Sequence, residues 1–187
     1  MPDIITAVRQ NHALEHATIH LLSRRHPQAR LVGRSTPTGF VLYGDFSTEA
    51  VADAASEALA RLQAGESHLA VHPRCGTNVA VTGMLVGAAG FAAGLGRPRS
   101  WLERLPLALM AATLAALAAQ PLALLVQERL TTTPWLDGVY VADVSVEVVI
   151  PALTAIAVIV SVVFGPATVI GPRYTIADVV GVDPSSV

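Results

Sequence analysis

The chain has 187 residues, of which 14% are charged and 52% apolar, and its net charge is −2 at pH 7. A soluble domain carries roughly 25% charge, and the deficit here is uneven: all six histidines lie in the first 72 residues, whereas residues 75–96, 105–127 and 148–172 hold no charge at all. No basic stripe offers itself to nucleic acid, and one cysteine, Cys75, excludes an internal disulfide.

Residues 4–24 read as a helix, with Ile5, Val8, Leu14, Ile19, Leu21 and Leu22 on a broad apolar face. Pro27 limits its extension, because proline disfavours helix in the residue before it. Residues 31–46 read as a β-hairpin around the turn signal Pro37-Thr38-Gly39. The segment 48–64 is a clear helix: Val51, Ala54, Ala55, Ala58, Leu59 and Leu62 recur at helical spacing. Ser47 caps it, Phe46 and Val51 fit a hydrophobic staple, and Gly65 fits the stop. Residues 68–71 read as a short strand. The expected fold is therefore an α+β N-terminal domain (α-β-β-α-β) over residues 1–75, small for independent folding.

A transmembrane region is expected over residues 76–172, with three α-helical spans at about 76–96, 105–127 and 148–171 and a tail from 173 to 187. Each charge-free stretch meets the roughly 20 residues needed to cross a bilayer core. Gly83, Gly87, Gly90 and Gly94 give span one the small-xxx-small spacing of closely packed helices. Pro121 is expected to kink span two or to break a backbone bond in it. No signal peptide is visible, which suggests a cytoplasmic N-terminal domain on the membrane. Against that, Arg97, Arg99 and Arg104 between spans one and two favour a cytosolic loop by the positive-inside rule, so the orientation stays open.

Chemistry concentrates in two motifs. His12-Ala13-Leu14-Glu15-His16 is H-x-x-E-H, the inverted zinc-protease pattern. Residues four apart share a helix face, so His12 and His16 can bind one ion together. Glu15 can then take a proton from metal-bound water. His20 continues the row, two turns from His12. Three fixed positions in five also arise by chance on solvated helices, and a second cluster strengthens the reading. His72-Pro73-Arg74-Cys75-Gly76-Thr77 sets an imidazole and a thiol three residues apart in a tight turn, a plausible pair of zinc ligands. His68 is a weaker candidate on the same expected strand face.

The two motifs resemble the paired signature of the bacterial YqhQ-like family, H-G-A-E-H-K-T-I followed by H-P-R-C-G-T-S and membrane spans, a family of predicted metal-dependent membrane enzymes. The stretch through Gly39-Phe40, Tyr43-Gly44, the helix at 48–62 and Leu69-Ala70-Val71-His72 is more similar to domain-of-unknown-function family 6391. The resemblance covers most of the first 80 residues. It implies metal ligands at His12, His16, His72 and Cys75, with Glu15 as the catalytic acid–base group. Ala17 replaces the YqhQ-like lysine, and Leu22-Ser23 stands where a Tyr-Glu pair often follows.

Two functions follow as expectations. One is a zinc-dependent, membrane-anchored hydrolase, with a peptidase as one form, in which His12, His16 and His72 hold the ion and leave a fourth position for water. The other is a non-catalytic scaffold or metal-responsive component, in which His12, His16, His72 and Cys75 close a structural shell. The bilayer is the expected partner in both, beside an unknown substrate or membrane protein. A transporter is disfavoured, because the spans carry almost no ionisable groups.

Overall fold

In the computed structural model of the protein, residues 3–95, 100–147 and 173–177 are described. The described residues divide into two compact units, those up to 71 with those from 132 onward, and those between 72 and 131.

The first unit opens with α1 (Ile4–Arg25), capped by Asp3, whose carboxylate accepts from the Ile5 and Thr6 amides at 2.9 and 3.0 Å. The hairpin follows as β1 (Val32–Thr36) and β2 (Gly39–Tyr43), in register with Thr36 opposite Gly39, so that Pro37 and Thr38 form the turn. α2 (Thr48–Gln63) buries the six residues its periodicity singles out, with Ser47 accepting from the Ala50 amide. Gly65 follows at φ +95°, a left-handed conformation that favours glycine.

The expected strand at 68–71 is instead a 3₁₀ turn, Ser67–Ala70. Two contacts explain this. Arg61 grips Glu66 through two nitrogens just before the turn, and the Leu69 amide bonds back to the Glu66 carbonyl. The turn buries Leu69 and Ala70 in succession, which an alternating strand would not do.

The sheet is completed from far along the chain. β3 (Ser145–Glu147) and β4 (Arg173–Ala177) give the order β1-β2-β4-β3, antiparallel throughout. β2 is therefore central, and Gly39 to Leu42 are buried without alternation, as a strand covered on both faces requires. Residues 173–177, read from sequence as part of a tail, thus belong to the sheet. The core joins Leu14, Leu21 and Leu22 of α1, Phe40 and Leu42 of β2, the apolar face of α2, and Leu136 and Val139 from the returning chain.

The second unit is a hairpin of apolar helices, α3 (Gly76–Gly94) and α4 (Trp101–Val126), the latter continued by one turn of π-helix, Gln127–Thr131. Arg104 Nη1 donates to the Gly94 carbonyl at one end, and Gln127 bonds Asn78 at the other, so the helices run antiparallel. α4 runs through Pro106 and Pro121 as one helix. A Cβ at Gly83, Gly87, Gly90 or Gly94 would meet nothing within 4 Å, so these glycines do not serve the packing of α3 on α4.

Two helices among the described residues are long and apolar enough to cross a membrane, Gly76–Gly94 and Arg104–Thr131. Only 6% and 11% of their apolar windows are buried, whereas the core helix of a soluble protein would be covered. This supports membrane association. The expected third span, 148–171, lies outside the described residues. Glu147 and Arg173 are cross-strand partners.

Candidate metal centre

Three faces of α1 do different work. Leu14, Ala17 and Leu21 enter the apolar core. Asn11 and Glu15, one turn apart, meet the hairpin: Asn11 Nδ2 donates to the Thr36 carbonyl at 2.8 Å, and the Ser35 hydroxyl donates to Glu15 Oε2. Arg9, His12, His16 and His20 make up the third face, by the three- and four-residue spacing of neighbours on a helix.

His12 and His16 stand in contact, ring centroids 4.3 Å apart and edge to face. His16 is 1% exposed, and its Nδ1 lies 2.8 Å from the Ala70 carbonyl. A carbonyl only accepts, so Nδ1 carries the proton and Nε2 keeps its lone pair. A backbone carbonyl holding the far nitrogen is the usual support of a metal-ligating imidazole. His20 Nε2 meets the Val71 carbonyl at 3.0 Å in the same way. The 3₁₀ turn makes both bonds available, by turning consecutive carbonyls toward α1.

The second motif begins at the next residue. His72 and Cys75 close a tight turn, the Cys75 amide bonding the His72 carbonyl at 3.3 Å. Cys75 is buried and caps α3, its Sγ accepting from the Thr77 amide at 3.4 Å. His72 Nδ1 accepts from the Arg74 amide at 3.2 Å, so in the neutral ring the proton sits on Nε2. His12, His16 and Cys75 form a group of two imidazoles and one thiol that could bind a metal ion, and His72 is not in that group. His68 is exposed on the 3₁₀ turn.

Glu15 is 5% exposed. Burial pushes its carboxyl above the usual carboxylate range, opposed by the Ser35 hydrogen bond and by the nearby His12. Its seat depends on Gly33, where a Cβ would fall 2.3 Å from Glu15 Oε1 and 2.7 Å from its Cγ. About 60° around the helix separates Glu15 from His12.

A family model described as a domain of unknown function, DUF6391, matches residues 7–144. The chain belongs to this family. An uncharacterised protein of Picosynechococcus sp. (strain ATCC 27264 / PCC 7002 / PR-6) is 42% identical over 135 residues, 67% of this chain and 65% of the relative. The chain thus spans just under two thirds of that relative's length. No solved structure matches it. The DUF6391 region holds every candidate ligand and stops before β3 and β4.

Three polar residues of this DUF6391 chain escape a reading by motif. Gln127, fully buried in the π turn, accepts from the His72 amide at 3.0 Å and donates to Asn78 Oδ1. Asn78 Nδ2 in turn donates to the Pro73 carbonyl. The pair clamps the turn that carries Cys75, and a π turn is a frequent mark of such places. Ser35 fixes Glu15. The signal available in sequence was slight: a glutamine closing an apolar run, and an asparagine three residues past a candidate ligand.

Proposed function

We propose that this protein is a membrane-anchored, zinc-dependent hydrolase in which His12, His16 and Cys75 hold the ion. The observation that carries the reading is the donor set: two imidazoles and one thiol, with His72 engaged by its own turn. Three protein ligands leave a fourth position, the pattern of catalytic zinc, whereas a closed set of four marks a structural site. The motif resemblance to the YqhQ-like family points the same way. So does chain connectivity: the Val71 carbonyl is bonded to His20, and the tight turn that ends at Cys75 starts one residue later.

Bound zinc would acidify a water in the fourth position to a pKa of about 7. Glu15 is outside the grouped donors, and we assign it that proton on its charge interaction with His12, with Ser35 and Gly33 fixing its rotamer. His16 keeps its tautomer through Ala70. The α3–α4 hairpin crosses the bilayer and places this chemistry at the membrane surface, where the substrate is met.

The test is metal content and cobalt spectroscopy on the intact, detergent-solubilised chain. About one zinc per chain is expected, lost in His12→Ala, His16→Ala and Cys75→Ala and kept in His72→Ala and Glu15→Gln. The cobalt form should show a thiolate-to-cobalt charge-transfer band, and its d–d bands should shift on adding azide, which needs an open position. A metal-free protein would overturn the reading. A spectrum indifferent to azide, with metal lost in His72→Ala, would replace the hydrolase by the structural site.

A further inference from the structure

We infer that α1 lies along the bilayer surface, with Ile4, Ile5 and Trp135 seated in the lipid headgroup layer. The inference rests on the hairpin crossing the membrane and is independent of any metal.

The chain leaves the first unit just after Val71, whose carbonyl is bonded to His20. It returns at Thr132, whose carbonyl accepts from Arg9 at 3.0 Å, while the Thr133 amide bonds the Arg9 carbonyl. Arg9 and His20 are on one face of α1, separated by about 16 Å along the axis at 1.5 Å per residue. Val71 lies five residues before α3, and Thr132 directly follows the apolar run that ends at Thr131. Because α3 and α4 are antiparallel, both junctions are at one surface of a bilayer the hairpin crosses. Two anchor points fix a line, and that line is the axis of α1.

The side chains at that level agree. Ile5 is one turn before Arg9 on the same face and 71% exposed, as is Ile4. Trp135, four residues past the apolar run, is 74% exposed, with its carbonyl accepting from Gln10 beside Arg9. Exposed isoleucines and tryptophan are costly in water and favourable at the headgroup boundary, where tryptophan is enriched. The occupant is therefore lipid, continuous with the surroundings of the hairpin.

The test uses the full chain in bilayers containing brominated lipids, with one tryptophan at a time. Trp101→Phe leaves Trp135. Trp101→Phe with Trp135→Phe then accepts Ile5→Trp, or Leu114→Trp within α4 as a control for crossing. Trp135 and position 5 should both be quenched by lipids brominated near the headgroup, and weakly by aqueous acrylamide. If Leu114→Trp is quenched while either site is reached only by acrylamide, or is shielded from both agents as by a protein partner, the inference is overturned and the crossing stands. If Leu114→Trp is not quenched by lipid, both fall.

Discussion

Gly33→Ala should destabilise the protein, and only because Glu15 is there. Gly33 does not have a positive φ. Alanine in a tolerant backbone position would by itself stabilise by about 0.4–1 kcal/mol, through the entropy of the unfolded chain. The added methyl would however lie 2.3, 2.6 and 2.7 Å from Glu15 Oε1, Cδ and Cγ. Moving only the carboxylate tip does not relieve a contact that reaches Cγ, so the side chain must leave its bond to Ser35. Overpacking of this kind costs about 1–3 kcal/mol. The net effect is a loss of about 1–2 kcal/mol, or roughly 2–8 °C in unfolding midpoint for a chain of this size. In a Glu15→Ala background the clash partner is gone, and the same substitution should be neutral or stabilising. Unfolding midpoints of the four detergent-solubilised proteins close the cycle, and the coupling between the sites should exceed about 1 kcal/mol. Equal effects of Gly33→Ala in both backgrounds would refute the placement of Glu15 against β1.

Glu15→Gln should raise the stability of the metal-free protein near neutral pH. A carboxyl whose folded pKa is raised contributes stability when protonated, and that contribution falls as pH rises from the ordinary value of 4.5 through the higher folded one. The glutamine variant should lose that slope in a pH series of unfolding midpoints; an unchanged slope would assign it elsewhere. Gln127→Ala leaves the His72 amide and Asn78 Oδ1 without their partner. It should cost about 1–3 kcal/mol and broaden the cobalt–thiolate band. His20→Ala should weaken metal binding about 10-fold by freeing Val71 ahead of the turn, with stoichiometry unchanged on saturation. Complete loss of metal would make His20 a ligand instead.

The elements whose causes are local could be read directly from the chain. α2 carries its cap, apolar stripe and stop within residues 47–65, and all three hold. The hairpin turn and the length of α1 are equally local. The sequence alone suggests a strand at 68–71, whereas the conformation there is fixed by Arg61, Glu66 and the carbonyl partners His16 and His20. The strand that pairs with the second edge of β2 is β4, more than a hundred residues on. At the candidate site, His12 and His16 are paired by helix geometry alone. His72 lies outside the grouped donors, and its Nδ1 accepts from the Arg74 amide, a bond that spacing does not encode.

What unites the two motifs is the 3₁₀ turn, more than the motifs themselves. A strand at 68–71 would point successive carbonyls to opposite sides, and His16 and His20 would not both find partners there. The 3₁₀ turn and the residue after it give Ala70 O to His16 and Val71 O to His20. Thus a single local conformation sets the tautomer of one imidazole and fixes the point where the chain enters the turn that ends at Cys75. The element that departs from the sequence reading, the turn Ser67–Ala70, is then the one that supports the imidazoles. Breaking the turn without touching a ligand should separate structure from coordination: Ala70→Pro retains every candidate donor and still removes the backbone geometry. If that variant binds metal as the parent does, the ligands assemble without the turn, and the support assigned to Ala70 and Val71 is wrong.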